Sequence, residues 1–161
     1  MLGRLEEALR LRRDVYAGFV RFYGEEHHET LLLACNYALS LLTLKHFEEA
    51  KSLFRKVIPV ARRVRGDNDE NTIRMRWYFA VALYHNEGAS LDDLREAATT
   101  LEDAARTARR VFGSAHPLTE AVAAYLQDAQ AALRAREEAV RRRDSVRSIC
   151  EAVEKMSSGG V

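Results

Sequence analysis

The sequence predicts an all-α fold, a solenoid of antiparallel helix pairs, and three observations lead there. The first is a motif met three times: a Gly, then His or Asp three residues on, then Thr after three more. Its copies are Gly24, His27, Thr30; Gly66, Asp69, Thr72; and Gly113, His116, Thr119, with the glycines 42 and then 47 residues apart. A fixed period in this range belongs to architectures whose units bury their apolar faces only against neighbouring units. The second is that the twenty residues ending at each of these glycines align without a gap. The third is composition: 47% hydrophobic and 30% charged residues with only two prolines, and no strand-like alternation, fit helices better than strands.

Residues 1–156 form one domain in this reading, followed by a disordered tail at 157–161. The division is a half-repeat at 2–24, a repeat at 25–66, a second at 67–113, and a degenerate repeat with capping helices at 114–156. In the aligned blocks Glu7, Glu49 and Glu96 coincide, as do Ala8, Ala50 and Ala97, while Leu5, Phe47 and Leu94 hold a bulky position three residues earlier. A small residue at a fixed place beside a large one is what close helix contact needs. Each block is long enough for a helix of roughly five turns.

The junctions read as a helix stop and a helix start. Gly24, Gly66 and Gly113 suit the left-handed residue just past a helix C-terminus. Asp69 is a good N-cap, and Pro117 after His116 suits a first helical position, where its missing N–H has no partner to lose. Thr30, Thr72 and Thr119 then fall third in the next helix. In these following helices Leu31, Ala34, Tyr37, Ala38, Leu41 and Leu44 recur at three- and four-residue spacing, and Ile73, Arg76, Phe79, Ala80 and Leu83 follow suit. The five residues that lengthen the second period lie at 86–90, where Gly88 can end one helix and Ser90 with Asp93 makes a capping box for the next. Pro59 sits inside the helix from Phe47 to Arg65 and predicts a kink.

At the two ends the reading stays open. The first block is a second-type helix without its first-type partner, so Val15, Phe19 and Phe22 have one neighbour unless a further repeat precedes; a fragment of a longer array accounts for this, with self-association through this face as the alternative. Residues 136–155 align weakly as a fourth second-type helix with a narrow apolar stripe of Val146, Ile149, Cys150 and Val153. No Gly or Pro marks a turn before it, so one continuous helix from Pro117 is the alternative.

The large, small, large pattern of Tyr37, Ala38 and Leu41, with Ala50 and Phe54 on the following helix, resembles the tetratricopeptide repeat. Phe79, Ala80, Leu83, Ala97 and Leu101 repeat it, and in the third unit Gln127 replaces the small residue after Leu126. The 42-residue period and the Gly-x-x-His-Pro-x-Thr form at Gly113 to Thr119 are similar to the longer repeats of kinesin light chains. The resemblance covers roughly Leu2 to Arg134. It implies a right-handed superhelix of helix pairs whose first helices line a concave, peptide-holding groove. Carried over by position, the groove would be lined by Leu32, Cys35, Asn36, Leu39 and Leu42, then Arg74, Trp77, Tyr78, Val81 and Tyr84, then Ala124, Tyr125 and Asp128. The peptide-binding set is Asn36, Leu39, Arg74, Trp77, Tyr78, Val81, Tyr84, Tyr125 and Asp128. Asn36 matches a family binding residue by type, whereas Tyr78 and Tyr125 occupy the equivalent places and point to a different ligand. Trp77, Tyr78 and Tyr84 are either binding anchors or groove-filling packing residues, and Arg74 suits an acidic or C-terminal group.

Other functional classes find little support. There is no Gly-rich phosphate loop, nucleophile elbow or metal-ligand spacing, so no enzyme, cofactor or metal is expected. Glu6, Glu48 and Glu137 recur as first-turn helix charges, which the dipole favours. Cys35 and Cys150 are far apart and a disulfide is not expected. Net charge is +1, which gives no overall bias toward nucleic acid. The clusters Arg10, Arg12, Arg13; Arg62, Arg63, Arg65; Arg109, Arg110; and Arg141, Arg142, Arg143 read as solvated faces rather than a phosphate-binding stripe. The longest apolar run, Leu31 to Cys35, is too short to span a bilayer, and the first residues lack a signal-peptide core, so a cytoplasmic location is expected. The function expected is a protein–protein interaction scaffold that takes a peptide or protein segment in its groove. An oligomerising module acting through the open N-terminal helix, or a phosphate or nucleic-acid binder using the arginines, are the alternatives.

Overall fold

Six helices account for nearly all of the protein in the computed structural model, which describes residues 2–158. They are α1 (Leu2–Tyr23), α2 (His28–Thr43), α3 (Phe47–Arg65), α4 (Glu70–Tyr84), α5 (Leu91–Phe112) and α6 (Pro117–Ser158), with no strand among the described residues. Each helix packs on the next in sequence. In addition the backbones of α2 and α4, and of α4 and α6, come close, whereas those of α1, α3 and α5 stay apart from one another, α3 reaching α5 through the Arg55–Glu96 and Lys51–Asp93 ion pairs. The even-numbered helices therefore lie closer together and line the inner face of the array, with the odd-numbered ones behind them.

The core follows the repeated residues. Ala38, Ala50, Ala80 and Ala97 are fully buried, and Leu41, Phe54, Leu83 and Leu101 beside them are almost completely so. Alanine at a crossing lets two backbones approach, and the large neighbours fill the flanks to interior density. Phe54 of α3 meets Phe79 of α4 edge-on at 6.4 Å between ring centroids. α6 buries Leu118, Val122 and Ala129 against the body, while Gln127, at the place of Ala38 and Ala80, is exposed. The third unit is therefore covered on one side only.

At the junctions the glycines have φ of 85°, 86° and 85°, and ψ at Gly66 and Gly113 is 165° and 168°. This corrects the expected left-handed helical conformation. It is an extended, positive-φ region that essentially only glycine enters, so the requirement for Gly is stricter than a left-handed cap imposes. Caps of two kinds then begin the inner helices. The Asp69 carboxylate accepts from the backbone N–H of Asn71 and Thr72. His27 Nδ1 accepts from the Glu29 N–H at 3.3 Å, and His116 Nδ1 from the Leu118 N–H at 3.2 Å. The bulkier imidazole reaches one donor where the carboxylate reaches two.

A contact between units repeats in register. Arg63, three residues before Gly66, binds Glu26, two residues after Gly24. Arg110, three residues before Gly113, donates at 2.6 Å to Asn68, two residues after Gly66. The basic ends of α3 and α5 thus clamp the preceding junction as well as meeting their own helix carbonyls.

The insertion at 86–90 forms a turn with the expected capping box between Ser90 and Asp93. Gly88 does not end α4; the cap is His85, and the turn is built on Asn86, whose side-chain and main-chain oxygens accept from Gly88 and Ala89. An asparagine that folds onto its own backbone supplies this turn without a positive φ. α3 runs unbroken through Pro59, which lies on its exposed side. α6 is one continuous helix of 42 residues, so 136–155 is not a separate returning helix. Residues 157 and 158 still belong to α6, and the rest of the tail expected at 157–161 lies outside the described residues.

Candidate functional site

Helical periodicity divides the inner-face residues into two stripes. On α4, Arg74, Tyr78 and Val81 follow i, i+4, i+7 spacing, and Trp77 and Tyr84 lie i, i+7 on the stripe beside them. The second stripe is turned toward α6. Trp77 contacts Tyr125 of α6 edge-on at 5.1 Å and Tyr78 on its own helix at 4.9 Å. Its indole Nε1 is buried and has no hydrogen-bond partner, and the same holds for the Tyr84 hydroxyl. Burial raises the Tyr84 pKa, and the nearby Asp128 and Tyr125 raise it further. Trp77, Tyr84 and Tyr125 thus come together as the wall between α4 and α6, with two polar atoms held in it unpaired and the exposed Asp128 at its edge.

The first stripe borders the space between α2 and α4. Arg74 makes two hydrogen bonds to Glu70, at 2.6 and 3.1 Å. The hydrogen bond to that carboxylate raises the Arg74 pKa most, and the Tyr78 phenol beside it adds to the effect. Arg74 keeps its charge and is held as a donor at the edge of the face. Across from it on α2, Asn36 is exposed and Leu39 is 38% exposed, a large apolar side chain open to solvent. Leu32, Leu42, Tyr78 and Val81 are half-buried around them, and Ala124 is exposed on α6. Cys35 lies below, and its burial pushes the thiol up to about 11, opposed by the charge of Arg74. The thiol is neutral at ordinary pH and lines the floor without reactive chemistry.

Asn36 and Leu39 are thus open to solvent on α2, Arg74, Tyr78 and Val81 form a half-buried stripe on α4, and Trp77 and Tyr84 face Tyr125 of α6, with Asp128 exposed near Tyr84. Glu70 escapes the sequence reading, although its place four residues before Arg74 is the signal that finds such a partner. Arg12 of α1 borders the α2 end of the same region, where it bonds Ser40.

The arginine clusters are largely committed elsewhere. Arg62 holds Asp67 at 2.6 Å, Arg65 holds Asp69 at 2.8 Å, and Arg63 holds Glu26. Arg76 is buried with Asp103 at 3.9 Å; burial lowers its pKa most, helped by the like charge of Arg62. No helix among the described residues is long and apolar enough to cross a membrane.

Comparison with protein families gives two matches, both to the tetratricopeptide repeat. One covers residues 1–63, which hold α1, α2 and nearly all of α3. The other covers residues 89–118, which hold α5 and the junction after it. No curated protein matches the sequence at a significant level.

Proposed function

The protein is a member of the tetratricopeptide repeat family, and from that premise we propose that it is a scaffold that captures an extended peptide or protein segment on its inner face, between α2 and α4. Repeats of this kind are in general protein–protein interaction modules. The observation that supports the reading is an open apolar side chain, Leu39 on α2, and an anchored cation, Arg74 on α4, on two helices that lie against each other. Leu39 and Val81 offer apolar contact, Asn36 and Tyr78 offer hydrogen bonds to a peptide backbone, and Arg74 offers a charge-assisted bond to a carboxylate. The preferred ligand is thus an extended segment with an apolar residue beside an acidic group or a free C-terminal carboxylate. Trp77, Tyr84 and Tyr125 hold α4 against α6 and keep the surface rigid, which lowers the ordering cost of binding. The similarity to kinesin light chain repeats stays within this proposal, with Tyr78 at a place where that pattern has asparagine.

The test is selection from a display library of random peptides on the wild-type protein, followed by binding of the selected peptides to an Asn36→Ala, Arg74→Ala, Tyr78→Ala triple variant. Peptides enriched in Asp, Glu or a C-terminal carboxylate, and losing at least tenfold in affinity to the variant, support the groove. Selected peptides that bind wild type and variant equally contradict it.

A further inference from the structure

The second half of α6 leaves the body of the protein. Val140 is its last half-buried residue, and every residue from 141 to 156 is exposed. Arg136 donates to the Ala89 carbonyl at 2.8 Å and Glu137 meets Arg95 at 3.4 Å, so the helix passes the start of α5 and projects beyond it. This projection is amphipathic. Val146, Ile149, Val153 and Met156 are 59%, 60%, 59% and 81% exposed, and their spacing of three, four and three residues is a two-heptad apolar seam. A helix of this length with nothing packed on its apolar stripe is marginal by itself, although Arg142–Glu138 and Arg147–Glu151 pairs support it locally.

The body of the protein offers no seat for the seam. Were α6 to fold back on itself as the earlier units do, the seam would pack where Ala123, Gln127 and Gln130 stand, at the places that Ala34, Ala38 and Leu41 hold in the first unit. Gln127 is exposed and Gln130 is engaged with Glu102 at 3.0 Å, so that surface is polar.

We propose that two copies of this protein pair through this projecting segment, antiparallel, about an axis between Ile149 and Cys150. Two features of the segment select a second copy and this orientation. Val146, Ile149, Cys150 and Val153 are symmetric about that point, so that Val146 of each copy meets Val153 of the other, as a two-fold interface requires, while Met156 lies outside the symmetric set. The charges are unevenly spread along the segment: Arg141, Arg142, Arg143 and Arg147 stand at one end with Asp144 among them, Glu151 and Glu154 at the other with Lys155 beside them, and antiparallel pairing about this axis also sets Asp144 opposite Lys155. Antiparallel pairing sets Glu154 of one copy between Arg143 and Arg147 of the second, whereas parallel pairing sets three consecutive arginines side by side. α1 also exposes apolar side chains, Leu11 at 61% and Phe22 at 74%, and the test below separates that face from the seam. A seam of about four turns makes a small interface, so the dimer dissociates readily.

The test uses the whole 161-residue chain. Sedimentation equilibrium is expected to show a monomer–dimer equilibrium between about 1 and 100 µM, and Val146→Glu with Val153→Glu, both at exposed positions, is expected to leave a monomer of unchanged helicity. Orientation is read in a Cys150→Ser background with a short bismaleimide, Cys35 being buried. A Val146→Cys protein mixed with a Val153→Cys protein gives a crosslinked dimer, and each alone gives little, since like positions stand about 10 Å apart along the axis. A monomer throughout that range overturns the proposal. So does association that survives the double Glu variant, which would place the contact on another face such as α1, and so does crosslinking of each protein alone but not of the mixture, which would make the pairing parallel.

Discussion

Trp77 of α4 and Tyr125 of α6 meet edge-on at 5.1 Å across the inner face, and this contact makes Trp77 a wall residue and not an open anchor. The consequence is a division between residues that hold the surface and residues that meet a ligand. Tyr125→Ala is expected to lower unfolding stability by about 2–3 kcal/mol. Arg74→Ala, at a half-exposed position paired only along its own helix, is expected to change stability by less than about 0.5 kcal/mol while weakening ligand binding. Urea denaturation of the two variants checks this; equal stability losses would contradict it.

The junction glycines give a second prediction. No atom lies within 4 Å of a Cβ built at Gly66 or Gly113, so Gly66→Ala meets no clash and its whole effect is backbone strain. The expected loss is about 1–3 kcal/mol, against a gain of about 0.4–1 kcal/mol for Gly18→Ala, which has equal space and lies inside α1. Thermal unfolding distinguishes the two.

The differing caps give a third. Thr72 Oγ1 lies 3.5 Å from the Asp69 carboxylate, whereas Thr30 Oγ1 and Thr119 Oγ1 are buried without a partner beside their histidine caps. An unpaired buried hydroxyl opposes folding. Thr119→Val is therefore expected to be neutral or stabilising by up to about 1 kcal/mol, and Thr72→Val to be the less favourable of the pair. Chemical denaturation of both variants side by side reads the difference, and the reverse order would contradict it.

Acid stability tests the capping box. The Asp93 carboxyl is held below its ordinary value of 3.8 chiefly by the Ser90 backbone N–H, with the Ser90 hydroxyl and Lys51 adding to the effect. A lowered folded pKa means a contribution fully present above the unfolded value and lost as the pH falls through the folded one. Asp93→Asn is therefore expected to lower stability at neutral pH and to flatten its decline below about pH 4. Ser90→Ala should cost about 1 kcal/mol. An unchanged acid limb in Asp93→Asn would remove this carboxylate from the account.

The features legible in the sequence are those that a few consecutive residues decide. The Gly-to-Thr junctions, the Ser90 and Asp93 box and the buried alanines each follow from local chemistry and period. The backbone region of the glycines is not legible in this way, because a helix stop requires a positive φ and leaves ψ to the residues that follow. Gly88 is credited from sequence with a role that Asn86 fills, since an asparagine turn and a glycine turn look alike in a five-residue insertion. Spacing does not decide the roles of Trp77 and Tyr84. Periodicity puts both on one stripe of α4, but only the placement of α6 and its Tyr125 shows that the stripe is covered. The continuity of α6 depends likewise on the lack of an apolar seat near Gln127, a property of three dimensions.

The most direct test of groove binding exploits the single tryptophan. The Trp77 indole N–H gives one isolated resonance, and it sits in the wall beside Arg74 and Tyr78 with no hydrogen-bond partner to fix it. Titration with a display-selected peptide is predicted to shift this resonance in a saturable way, with the same midpoint as calorimetric binding, and Arg74→Ala with Tyr78→Ala to abolish both. A peptide that binds by calorimetry yet leaves the Trp77 resonance unmoved would contradict the assignment of the inner face as the binding surface.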